Sequence, residues 1–152
     1  HAGESKWNNH VNINDYSIGI ELENRGHEHG YSNFTKNQYI SLKKIIKFLK
    51  NNFYILDRNI IYHSDISPNR KIDPGEKFDI QKIGIRRFEH IKRQNKNYSL
   101  EQLLILYGFH LSHVKNYKNY CIKSVKRSLN YKNITSKITK NFIKDFNNLI
   151  FK

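Results

Sequence analysis

The stretch Asn59-Ile-Ile-Tyr-His63-Ser-Asp-Ile-Ser-Pro68-Asn-Arg70-Lys71-Ile-Asp73-Pro74-Gly75 joins a short apolar run to a loop dense in reactive groups. Ile60, Ile61 and Tyr62 predict a strand with His63 at its C-terminal end, and strand ends that open into loops are where α/β folds place their chemistry. Pro68 and Pro74 stiffen the loop, and Gly75 permits a turn that other residues resist. Imidazole and carboxylate are both zinc ligands, which makes His63 and Asp73 candidate metal ligands. Lys71, two residues before the carboxylate, would set positive charge beside whatever the metal polarises. In extended chain Lys71 and Asp73 point to the same side.

Working outward, Ser17-Ile-Gly-Ile-Glu-Leu-Glu-Asn24 alternates, with Ile18, Ile20 and Leu22 on one face and Glu21 and Glu23 on the other. That pattern predicts a second strand, apolar toward the core and acidic toward a cleft. On pattern alone the two glutamates are equal candidates for acid–base work. Residues 25–33, with His27 and His29 between Gly26 and Gly30, read as a loop, and the histidines as loop or cleft residues rather than ligands. Thr35 with Gln38 forms a capping box, Phe34 with Tyr39 a hydrophobic staple, and Tyr39, Leu42, Ile45, Ile46 and Leu49 the apolar stripe of a helix packed on a sheet. A short helical turn follows Gly75, and residues 86–96 read as a charged linker. Beyond it, Ser99 with Gln102 and Tyr98 with Leu103 repeat the box and staple, and Gly108 stops the helix. Two more helical patterns follow, one over 117–129 and one on Ile134, Ile138, Phe142, Phe146 and Leu149.

A chain of 152 residues accommodates one domain, or one domain with a small appendage. Its formal net charge of +14 is spread along the whole length among Asn and Ile, with no nucleic-acid motif. Nucleic acid is therefore not an expected partner, whereas an anionic polymer such as bacterial cell wall suits such a surface. No apolar run reaches the length of a transmembrane helix. Cys121 is the single cysteine, which excludes an internal disulfide. The motifs begin at once with His1-Ala-Gly, so the chain is read as the C-terminal part of a longer protein.

Several separate blocks carry a resemblance: His1-Ala-Gly with Ser5 and Trp7, Asn14 to Asn24, Gly26-His27 with Gly30-Tyr31, and His63-Ser-Asp through Arg70-Lys71-Ile-Asp73-Pro-Gly75. Together, over about residues 1–88, they resemble the zinc-dependent N-acetylmuramoyl-L-alanine amidases of the type 2 family, whose fold is that of the peptidoglycan recognition proteins. The tail from Ser99 is similar, more weakly, to the helical peptidoglycan-binding appendage of some of these amidases, through its helix count and Leu106-Tyr-Gly-Phe109.

The resemblance implies an α/β fold, a mixed β-sheet with flanking helices and a small all-helical C-terminal unit. The corresponding division is an amidase portion over 1–90 and a helical appendage over 97–152. It implies hydrolysis of the amide between N-acetylmuramic acid and L-alanine, with Zn²⁺ as cofactor and peptidoglycan or a muropeptide as substrate. Carried over by position, His63 and Asp73 are metal ligands, Glu21 is the carboxylate that works with the metal's water, and Lys71 is the cation near the scissile carbonyl. His1, Asn24 and Arg70 fall at substrate-contacting positions. The family's first metal histidine lies upstream of the His1-Ala-Gly block, so weak zinc affinity and little turnover are expected of these residues alone. The alternative is a module of the same fold that holds muropeptide without cutting it. The helical tail points to the bacterial envelope, with cytoplasmic recycling as the other location.

Overall fold

The computed structural model describes residues 3–89, 91–94, 97–111 and 113–151. Two short strands, β1 (Lys6–Trp7) and β2 (His10–Val11), pair antiparallel with Trp7 opposite His10. Among the described residues five α-helices follow: α1 (Lys36–Phe53), the single turn α2 (His63–Ile66), α3 (Leu100–Tyr107), α4 (Tyr117–Ser128) and α5 (Lys140–Ile150). The expected architecture of helices around a sheet, with a helical C-terminal part, stands. Among the described residues the sheet is the β1–β2 pair alone.

The two predicted strands do not form. Residues 17–24 join no ladder, and Ile18 and Ile20 are 51% and 37% exposed. Asp57–Asn59 is a turn of 3₁₀ helix, and His63 opens α2 rather than closing a strand. Alternation provides a strand with its two faces, but ladder bonds also need a neighbouring backbone, and no described segment offers one.

Helix ends follow their local chemistry closely. Thr35 Oγ1 accepts from Gln38 N at 3.2 Å while Gln38 Oε1 accepts from Thr35 N at 2.8 Å. Ser99 and Gln102 repeat this reciprocal pair at 3.2 and 2.9 Å. Both boxes satisfy amide donors that a helix start otherwise leaves unpaired. The last helix begins later than its apolar pattern suggests. Thr139 Oγ1 caps Phe142 N at 3.1 Å, which leaves Ile134 and Ile138 outside α5.

The apolar side chains form two clusters. In the first, Tyr39, Leu42 and Ile46 of α1 pack on Phe34, Tyr62, Phe78, Ile83 and Ile85. Of the predicted α1 stripe, Ile45 is left exposed. In the second, Trp7, Ile13, Ile66 and Phe88 pack with α3, α4 and α5, where Leu103, Cys121, Ile122, Phe142, Phe146 and Ile150 are sealed from solvent. Each such large apolar side chain contributes roughly 1.5–3 kcal/mol on burial. This second cluster runs across the division expected between residues 90 and 97. The stretch read as a linker also enters the interior, with Arg87 and Phe88 only 5% and 8% exposed. Helix α2 lies between the clusters, since Tyr62 before it belongs to one and its own Ile66 to the other.

Trp7 fixes the strand pair to the helices. Its indole meets Tyr107 and Phe109 edge-on at 5.7 and 5.8 Å, and Asn8 N donates to Gly108 O at 2.7 Å. Gly108 ends α3 at φ 126°, and a Cβ placed there would run into the indole. Gly108→Ala therefore combines backbone strain with overpacking and is expected to cost about 2–4 kcal/mol. Urea denaturation tests this, and an unchanged midpoint would show that the Trp7–Gly108 contact is not tight.

Candidate active site

The loop after α2 is built to return to its own start. Ser67 N donates to His63 O at 3.0 Å, and Ser67 O accepts from Arg70 N and Lys71 N at 3.0 and 2.9 Å. Ser64 N then donates to Asp73 O at 3.1 Å, bringing the far end of the loop beside α2. As a result His63 Nδ1 and Asp73 Oδ2 lie 2.5 Å apart. Both remain accessible, at 24% and 53% side-chain exposure, so a ligand from solvent can reach them.

A second loop clamps the Asp73 side. Tyr31 OH donates to Pro74 O at 2.6 Å and accepts from Lys77 N at 3.0 Å. Lys77 Nζ donates to Tyr31 O at 2.6 Å and sits over the ring. His27 stacks on Tyr31 with centroids 4.2 Å apart and meets Glu76 Oε2 at 3.0 Å through Nε2. Burial pushes the Tyr31 hydroxyl up to about 12, so it stays a neutral donor. Gly75 has φ 82°, and a Cβ there would stand 2.5 Å from Tyr31 Oη and 2.8 Å from His27 Cε1. Glycine at this position lets the two loops meet. Thus His27 is a clasp residue, as a loop reading allows, and His29 is exposed.

The other predicted residues fall differently. Asn24 spends its side chain inside its own loop, donating to Ser32 O at 3.0 Å and accepting from Gly26 N at 3.1 Å. Arg70 turns its guanidinium onto the Glu4 carbonyl, close over Gly3. Lys71 is half-buried two residues before Asp73, and Glu21 is exposed on the 17–24 segment, which joins no strand ladder. His1 lies outside the described residues.

A buried group beneath the site carries no signal that the sequence reading used. Asp65, fully buried on α2, accepts from Tyr62 N at 3.0 Å, Tyr107 OH at 2.9 Å and Ser124 Oγ at 3.0 Å. Arg87 Nη2 lies 2.9 Å from its Oδ2. The guanidinium carbon sits 5.0–5.5 Å from the ring centroids of Trp7, Tyr62, Phe88 and Tyr107. Burial by itself lowers the Arg87 pKa, and the Asp65 charge together with Tyr107 and Tyr62 more than reverses that, so the guanidinium stays charged. The usable hint is an acidic residue at the third position of a helical turn, where a carboxylate can reach back to the preceding amide.

As donors, an imidazole and a carboxylate fit zinc in kind. Their number is two. Among the described residues no three His, Cys, Asp or Glu side chains form a group able to hold a metal.

The model of the N-acetylmuramoyl-L-alanine amidase family matches residues 1–76, half of the chain. The chain belongs to this amidase family. It is 34% identical to the N-acetylmuramoyl-L-alanine amidase AmiD of Escherichia coli over 129 residues, covering 72% of this chain and 47% of that protein. It is 40% identical to the 1,6-anhydro-N-acetylmuramyl-L-alanine amidase AmpD of Haemophilus influenzae over 80 residues, 52% of this chain and 41% of that one. The chain thus spans about half the length, or less, of these relatives. A solved complex of E. coli AmiD with anhydro-N-acetylmuramic acid-L-Ala-D-gamma-Glu-L-Lys superposes with TM-score 0.77 at 26% identity, over 99% of this chain and 67% of that one. AmpDH3 of Pseudomonas aeruginosa shares the fold, with TM-score 0.78 at 24% identity over 98% and 67%.

The family match ends at Glu76, so it takes in α2, the 63–73 loop and both partners of the His27–Glu76 clasp. The structural likeness to AmiD continues through the helical tail. For this amidase-family chain the clasp has a pH signature. Burial raises the Glu76 pKa, but the His27 hydrogen bond, a backbone hydrogen bond and the charges of His27 and Arg127 together outweigh it and hold the carboxyl below its ordinary value of 4.5. A depressed folded pKa means that stabilisation is present above the unfolded value and is lost as pH falls through the folded one. Glu76→Gln is expected to lower stability by up to about 1 kcal/mol at pH 7, with the gap closing as pH drops below about 4.5. Urea midpoints of both proteins from pH 7 to pH 3 test this, and a gap constant across that range would contradict it.

Proposed function

We propose that this chain carries the active site of an N-acetylmuramoyl-L-alanine amidase, which hydrolyses the amide between N-acetylmuramic acid and L-alanine in peptidoglycan or a muropeptide. The observation that carries the reading is the juxtaposition of His63 Nδ1 and Asp73 Oδ2 at 2.5 Å, both accessible, within the family-matched segment. These two residues would hold zinc, exchanging their mutual hydrogen bond for metal bonds. Zinc bound there supplies a Lewis acid and a water acidic enough to react near neutral pH.

The chain's own residues supply the rest of the reading. Lys71, two residues before Asp73, places an ammonium where negative charge grows on the scissile carbonyl oxygen. Glu21 takes a proton from the attacking water and hands it to the leaving L-alanine amine, which needs a carboxylate within hydrogen-bond reach during the reaction. The Arg70 guanidinium suits a stem-peptide carboxylate once it leaves the Glu4 carbonyl, and Asn24 contributes by shaping the loop opposite. His1 is kept as a substrate contact on the strength of the resemblance. A cell-envelope location fits the helical tail and the basic surface. No helix of the described residues is long and apolar enough to cross a membrane.

A second reading, a module that binds muropeptide without cutting it, is favoured by the count of two metal donors brought together among the described residues. One experiment separates the two. The protein is freed of metal, titrated with zinc, and incubated with a muropeptide that retains its muramoyl-L-alanine bond, and products are read by mass spectrometry. The amidase reading expects free stem peptide with an L-alanine amino terminus, needing excess zinc because two protein ligands hold the ion more weakly than three. Release is expected to fall at least ~100-fold in Glu21→Gln and to vanish in His63→Ala. Muropeptide binding with no release at any zinc concentration supports the second reading. Zinc-independent release overturns both.

A further inference from the structure

We infer that Asp65, held by Tyr107 and Ser124 of the C-terminal helices, is a positioning residue for His63, so that the tail is part of the hydrolytic site rather than an attachment to it. This rests on the reading of His63 as a metal ligand. The chain of contacts is short. His63 and Asp65 are the first and third residues of the single-turn helix α2. One carboxylate oxygen of Asp65 closes that turn by accepting from Tyr62 N at 3.0 Å and faces Arg87 Nη2 at 2.9 Å. The other accepts from Tyr107 OH at 2.9 Å and from Ser124 Oγ at 3.0 Å. Tyr107 is itself fixed by Ser128 Oγ at 2.6 Å and by contact with Trp7, Phe88, Phe109 and Phe146.

A four-residue helix has little stability of its own, because nucleation consumes most of what its few hydrogen bonds return. Its orientation is therefore set from outside. Here the outside is a carboxylate with no solvent to fall back on, whose hydroxyl donors both lie beyond residue 97. The same turn sends Ser64 N to Asp73 O at 3.1 Å, so a tilt of α2 displaces both halves of the His63–Asp73 pair. Outer partners of metal-binding histidines commonly act by holding the ring in one orientation and one tautomer. Asp65 does so one step further back, through the backbone.

The test uses the whole chain, metal-free and uniformly labelled with ¹⁵N, and reads the His63 ring by two-bond ¹H–¹⁵N correlation at one fixed pH. Tyr107→Phe and Ser124→Ala each delete a hydroxyl donor and little volume. Ile150→Val, in the same core but away from α2, serves as the control for lost stability, with urea midpoints measured in parallel. The expected result is that both hydroxyl deletions shift the His63 ring signals toward those of Asp73→Ala, from one ordered tautomer to a mixture, while Ile150→Val leaves them in place. The inference is overturned if the ring signals of both variants superimpose on the parent, or if Ile150→Val moves them as far. Should Tyr107→Phe fail to fold, Ser124→Ala decides on the same criterion. Since neither zinc nor substrate is present, the result is independent of whether a muropeptide is hydrolysed.

Discussion

The buried pair of Asp65 and Arg87 is the constraint on which the rest of the structure depends. Removing two charges from water costs several kcal/mol per ion unless geometry and hydrogen bonds repay it. Here the carboxylate collects an amide, two hydroxyls and the guanidinium, and the guanidinium lies among four aromatic rings whose faces attract a cation. These partners come from the first strand, the turn of His63, the 86–89 stretch, α3 and α4. Segments far apart in sequence are therefore tied to one charge that cannot be left unmatched, and the two apolar clusters meet around it.

That arrangement changes how the two halves of the chain relate. The amidase family model matches residues 1–76, and Trp7 from that half packs on Tyr107 and Phe109 from the second. Asn130, just past α4, donates to Glu76 O and Phe78 O at 2.8 Å each, reaching the clamped loop directly. A family model marks where a shared sequence pattern is matched, whereas cooperative units are set by shared cores. In this molecule the core crosses the boundary.

Local chemistry was legible and long-range chemistry was not. Thr35–Gln38, Ser99–Gln102 and Gly108 mark helix ends because their partners lie within a few residues. The His63–Asp73 pair was legible because one loop of eleven residues contains both members and Pro68, and Pro74 follows it directly. Residues 17–24 misled because alternation is only half of a strand, and the neighbour that completes it is absent among the described residues. Arg87 was hidden by its setting: a run of Arg, Glu and Lys reads as solvated surface, and its carboxylate lies 22 positions upstream. Asp65 was hidden in the same way, since its hydroxyl partners at 107 and 124 come together only in the folded chain.

The unladdered segment also bears on how the protein behaves in solution. It presents alternating aliphatic side chains, Ile18 and Ile20, on backbone free of any ladder, the kind of surface on which strands of two molecules can pair. Glu21 and Glu23 interrupt it with charge, and the net charge of +14 keeps molecules apart while their repulsion reaches beyond contact distance. That reach is about 10 Å at 0.1 M salt and roughly 3 Å at 1 M. Colloidal stability of this chain is thus governed by ionic strength, independently of the core that keeps each molecule folded.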